Sequence, residues 1–177
     1  MSKAFTKDDD TGAELLVVPR APLAEGLPNY VTARGLRLMH EEQARLEDER
    51  AALAAHAPDR APRLNALSQR AADLQARISS AQLVGAQPKD EVRFGACVRV
   101  RHGSGKESEY LIVGVDEADA ASGRVAFSSP VARSLLGKRV AEMAEVRTPR
   151  GRDELEVLEI RYPEAGPEPE DTDKFAH

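Results

Sequence analysis

Two stretches of this chain repeat their seam residues at steps of three and four, and a seven-residue connector carrying two prolines separates them. No other feature constrains the fold as much. In the first stretch Leu36, Met39, Gln43, Leu46, Arg50 and Leu53 share one helical face, and Gln43 and Arg50 make it a leaky seam. In the second, Leu64, Leu67, Ala71, Leu74, Ile78 and Ala81 keep register with no polar break, while Gln69, Arg70, Asp73, Gln75 and Arg77 fall on the outward positions. Thr32 is placed to cap the first helix, which runs to about Ala55, and Tyr30 and Val31 can pack back on its first turn. The connector, His56 to Pro62, is too short for anything but an antiparallel pair. The expectation is a coiled-coil hairpin over residues 29–85. Two helices bury little by themselves, so its base should lean on the rest of the chain.

From residue 91 the period changes to that of strands. Val92-Phe94, Ala96-Val100, Tyr110-Val113, Val125-Phe127, Ala144-Thr148 and Leu155-Ile160 are short apolar or alternating runs. The last is expected to be strictly apolar-in and charged-out. Gly103-Ser104-Gly105, a charged turn at Asp116-Glu117, and Pro149-Arg150-Gly151 separate some of these runs. Pro130 opens a short helix, Val131 to Leu136, that Gly137 ends. The fold class is therefore α+β: a helical hairpin followed, over 91–162, by a small antiparallel sheet wrapped on one short helix. Residues 1–28, with Asp8-Asp9-Asp10 and three prolines, read as a flexible arm in which the Leu15-Val18 run alone could dock. Residues 163–177 read as an acidic, proline-bearing tail.

Composition removes several function classes. The net charge of −5 argues against a free-standing nucleic-acid binder, which would need a basic surface. Aromatic residues are 4% of the chain, too few to line a typical ligand pocket. Cys97 is the one cysteine, in an apolar run, so it reads as a buried, inert thiol, and no Cys/His cluster is present to hold zinc. No window approaches a membrane span and residues 1–10 hold no apolar h-region, so the expectation is a cytoplasmic protein with no membrane partner.

Several strings carry a family resemblance. Val92-Arg93-Phe94-Gly95-Ala96, Tyr110 to Asp119, Ser129-Pro130-Val131-Ala132-Arg133-Ser134-Leu135-Leu136-Gly137-Lys138, and Thr148-Pro149 with Gly151 resemble, in register, the C-terminal domain of the bacterial GreA/GreB transcription factors. Tyr30-Val31-Thr32 with Gly35, and Ser80 to Val84, resemble the start and end of that family's hairpin. The resemblance implies an FKBP-like sheet domain that docks on the rim of the RNA polymerase secondary channel. It implies a polymerase-facing surface at Ser128, Ser129, Pro130, Ala132 and Arg133. It also implies a coiled coil entering the channel, whose tip in cleaving members carries an Asp-x-x-Glu-Asn pattern that holds Mg²⁺ and activates water.

At the tip, this sequence departs from that pattern. His56, Asp59 and Arg60 stand in a loop with one carboxylate, and each arm is about two turns short, leaving the tip ~11 Å back. The reduced hairpin is similar to that of Rnk, the regulator of nucleoside diphosphate kinase. The expectation is a non-enzymatic, polymerase-binding elongation factor, with no cofactor of its own beyond Mg²⁺ supplied through the polymerase. Nucleic acid would be met only inside the transcription complex. An active cleavage factor using Asp59 as a metal ligand is the alternative, and a prolyl isomerase a remoter one on fold alone. For single residues plainer readings stand beside these: Asp59 as the cap of the second helix, His56 as a charge at a helix end.

Overall fold

The computed structural model describes residues 20–23, 25–53, 59–85, 90–148 and 151–163. The Leu15-Val18 run, His56, the Pro149-Arg150 turn and the acidic tail from residue 164 lie outside them.

Two helices of equal length form the hairpin, α1 (Ala33–Ala52) and α2 (Arg60–Ser79). At 20 residues each spans about 30 Å. Thr32 caps α1 as expected, its Oγ1 accepting from the Gly35 amide at 2.9 Å. Met39, Leu46 and Leu74 are buried between the helices, with Leu36, Leu67, Ala71 and Ile78 around them. Arg50 is exposed, and Gln43 donates across the seam to Gln75 at 3.0 Å, so the leaky positions face water as the sequence suggests.

Four hairpin expectations need correction. Pro62 is not in the connector but in the first turn of α2, where a missing N–H is tolerated. Asp59 sits at the N-cap position yet its side chain caps nothing; with Pro62 three residues on, one of the two amides it could accept from does not exist. Its Oδ2 pairs with Arg63 Nε at 2.7 Å instead. Arg77 is not an outward residue: it is 8% exposed, turned toward the sheet. Ala81 does not extend the helix but begins a strand.

That strand, β2 (Ala81–Leu83), pairs in parallel with β1 (Asn29–Val31), closing the base of the hairpin. The alternation of β1 joins two cores. Val31 is buried with the helix seam, whereas Tyr30 packs on the sheet core against Phe94 and Phe127, at centroid distances of 5.7 and 5.5 Å. Asn29 is buried and donates to the Arg77 carbonyl at 2.8 Å, satisfying an end of α2.

The second unit is a five-stranded sheet in the order β5-β4-β3-β7-β6, built from β3 (Cys97–His102), β4 (Glu107–Val113), β5 (Arg124–Ala126), β6 (Met143–Thr148) and β7 (Gly151–Arg161). The α+β class holds, but the sheet is not antiparallel throughout: β5 runs parallel to β4 after a crossover through two 3₁₀ turns. Val92-Phe94 is not a strand. Val92 exchanges backbone bonds with Lys138 and Gly137 and plugs the core. Strict alternation in β7 fails too, because the register against β3 shifts between Arg99 and Val100. That bulge lets Val157 and Ile160, three apart, both reach the inner face. Outward, Arg99, Arg101 and Arg161 interleave with Glu107, Glu109, Glu156 and Glu159.

Candidate functional site: a docking corner, a hairpin tip and the joint between them

The short helix α3 (Pro130–Leu135) sits beside β6 at one corner of the sheet. Ser129 is its N-cap, accepting from Ala132 N at 3.2 Å, and Pro130 follows where its missing N–H costs nothing. Gly137, at φ 80°, turns the chain back to Val92. Pro130 and Arg133 are exposed, and Ser128 and Ser129 are half-buried. Arg133 has no ion pair among the described residues. Ala132 is a correction: with Leu135 three residues on, it is fully buried and supports the corner from inside. Val140, after α3, and Met143, the first residue of β6, are 54% and 50% exposed and add apolar surface beside this corner. No sequence pattern singled them out, since an exposed apolar residue beside a turn looks like a core residue.

At the tip, Asp59 and Arg63 form an exposed i,i+4 pair, and Arg60 is half-buried. Among the described residues no three His, Cys, Asp or Glu side chains gather as a metal site.

Between corner and tip lies a charged joint whose residues the sequence presents as a charged turn and outward helix positions. Glu117 is buried; it accepts from the Thr32 hydroxyl at 2.5 Å and from Arg34 Nη1 at 3.2 Å. Gly35 makes room for it, since a Cβ there would meet Glu117 Oε2 at 2.7 Å. Gly114 does the same for the chain itself: a Cβ would lie 2.6 Å from the Tyr30 carbonyl oxygen. Asp116 stands between two guanidiniums, Arg20 Nη1 at 2.8 Å and Arg77 Nη1 at 3.1 Å. The second nitrogen of Arg20 reaches Glu42 at 2.6 Å, with Arg70 at 4.0 Å from the same carboxylate. Burial opposes the charge on Arg20, but the bonds to Asp116 and Glu42 outweigh it and its pKa is raised. A cleft of about 300 Å³ opens beside these groups, lined by Arg20, Glu42, Arg70, Asp73 and Asp116. The pairs signalled nothing in the sequence because their partners are up to 96 residues apart.

Two other clusters look reactive and are structural. His102 Nδ1 is 2.6 Å from Asp153 and its Nε2 2.9 Å from Ser108, the order of groups in a hydrolytic triad. The adjacent amides of Gly103 and Gly105 are already engaged by Glu154 and His102 carbonyls, so they cannot stabilise an oxyanion. The cluster ties β3, β4 and β7 together. Cys97 is buried as expected; desolvation, then Glu109, pushes its pKa up to about 12, which keeps it a thiol.

A hairpin that rises from a five-stranded sheet, with a proline-started corner helix on that sheet, defines a two-part α+β architecture. The family model described as "Transcription elongation factor, GreA/GreB, C-term" matches residues 87–162. A transcription elongation factor GreA of Methylobacterium sp. (strain 4-46) is 41% identical over 110 residues, covering 60% of this chain and 68% of that protein. One from Alkalilimnicola ehrlichii is 40% identical over 94 residues, 51% of this chain and 60% of that protein. The chain belongs to the GreA/GreB family. It spans about 60% of the length of the first curated relatives it matches. Among solved structures, GreA factor homolog 1 (Gfh1) of Thermus thermophilus aligns over 76% of this chain and 99% of its own, at 21% identity and a TM-score of 0.38.

Proposed function

We propose that this chain is an RNA polymerase-binding elongation factor that docks through the α3 corner, directs its hairpin into the secondary channel, and does not stimulate transcript cleavage. The observation that supports the last part is at the tip. Asp59 is the one carboxylate between Leu53 and Arg63, and it faces Arg63 at 2.7 Å. Holding Mg²⁺ for phosphodiester attack takes converging hard oxygens, not a single carboxylate engaged by a guanidinium. The protein then needs no metal of its own, meets nucleic acid only within the transcription complex, and works in the cytoplasm where the polymerase is.

Active cleavage is the second reading, favoured by the exposed Glu47, Asp48 and Glu49 on the last turns of α1. A backtracked elongation complex with Mg²⁺ separates the two. No shortening of the RNA beyond that of polymerase alone is expected; strong shortening that Asp59→Ala abolishes overturns the first reading. Prolyl isomerisation has little support, because Tyr30, Phe94 and Phe127 pack on one another in the core rather than around a pocket. For docking, Arg133→Glu should weaken capture of the polymerase roughly tenfold, about 1.4 kcal/mol. Undiminished capture would remove the α3 corner from the interface.

A further inference from the structure

We propose that Arg20, in the segment ahead of β1, is a clasp that fixes the direction of the hairpin relative to the sheet unit.

Residues 20–23 reach across the joint. One guanidinium touches both units at once: Nη1 holds Asp116, in the crossover after β4, and Nη2 holds Glu42, about two and a half turns up α1. The same segment is gripped in return, since Arg77 of α2 donates to the Ala21 carbonyl at 2.5 Å while its Nη1 faces Asp116 at 3.1 Å. Segment, hairpin and sheet unit thus meet at one carboxylate. The side chains of Arg20, Asp116 and Arg77 are 19%, 9% and 8% exposed, so the pairs are shielded from salt that would screen a surface bridge.

The position of Glu42 gives the contact leverage. The base of the hairpin is already held by β1 and β2 and by Glu117. Those contacts lie at the pivot and resist translation more than tilt. Arg20 contacts α1 well above the pivot, so a tilt of the hairpin away from the segment must break its bond to Glu42. Lysine cannot replace it, because one ammonium cannot present two separated nitrogens to two carboxylates. Removing Arg20 leaves Asp116 still paired with Arg77, so the fold should survive its loss.

The inference concerns the free protein and stands apart from the polymerase reading. It is tested by spin-label distances in the full chain between Glu49→Cys, near the tip, and Arg152→Cys, on β7. Both sites are exposed, while Cys97 is buried and protonated and takes little label. A single narrow distance is expected with Arg20 present. Arg20→Ala should broaden it about twofold, with an unchanged helical circular dichroism signal, and Arg20→Lys should fall between. A distribution for Arg20→Ala as narrow as the parent's overturns the clasp, as does a parent distribution that is already broad. Should Arg20→Ala lose helical signal, Arg20→Lys carries the test, and an unchanged width there overturns it.

Discussion

The hairpin and the sheet unit are held together by different means. Among the described residues, the sheet closes a core of thirteen buried residues around Ile112, Leu135, Leu155 and Val157, whereas the hairpin core has four, Val31, Met39, Leu46 and Leu74. One of those four, Val31, comes from the strand at the base rather than from a helix. The helices are also poor in order-making pairs: their exposed charges form i,i+4 contacts such as Arg37–Glu41 at 3.6 Å, worth a few tenths of a kcal/mol. The comparison teaches that the hairpin is a lever, stable because of where it is mounted.

The largest effect should come from separating the two. A fragment of residues 90–163 is expected to keep its sheet signal in circular dichroism, while residues 29–85 alone lose most of their helical signal at 25 °C; a well-folded isolated hairpin would break the comparison. Next, Leu155→Ala should cost about 3 kcal/mol in urea unfolding and Leu46→Ala nearer 2, since a seam open to water collapses more easily around a lost side chain. Equal costs would mean the hairpin seam is as tightly packed as the sheet. Gly114→Ala tests the mounting: its Cβ would meet the Tyr30 carbonyl, which is backbone and cannot swing aside. A loss of about 2 kcal/mol is expected, with faster amide exchange in β1 than in β7.

The smallest effect depends on pH and concerns the sheet alone. The hydrogen bond from His102 holds the Asp153 carboxyl below its ordinary value of 3.8. A carboxylate depressed in this way stabilises the fold above that value and loses its contribution as pH falls through the lower folded one. Asp153→Asn should therefore flatten the acid limb of the melting temperature between about pH 4 and 2, leaving the hairpin's helical signal untouched.

Periodicity made most of the fold legible. The steps of three and four placed both helices, and the Ser129-Pro130 and Gly137 signals bounded α3 to within a residue. Contacts between distant segments were not legible. Arg77 satisfies every local criterion for an outward residue, and only the arrival of Asp116 and Ala21 turns it inward. The parallel β1–β2 pair has three residues in each strand, too few for a period to show. Of the candidate site, the places of Pro130 and Arg133 on α3 and of Asp59 at the head of α2 were readable because each lies in a local motif. The joint was not, because Glu117, Asp116 and Glu42 announce only that they are acidic. Ala132 was misplaced for the converse reason: belonging to a motif does not tell whether a residue faces out.

The outer face of the sheet has a consequence for how this molecule meets others. Around β3, Arg99, Arg101 and Arg161 with Glu107, Glu109, Glu156 and Glu159 are each within reach of an opposite charge and leave a net charge of −1. Alternating signs at that spacing cancel within a few ångströms, well inside the roughly 8 Å over which salt lets a field act. To an approaching partner this face is electrically silent, and orientation on approach is left to features elsewhere, among them the exposed Arg133, which has no ion pair among the described residues. A single reversal such as Arg101→Glu would change the sum by two and leave five acids against two bases, turning a blank wall into a competing signpost.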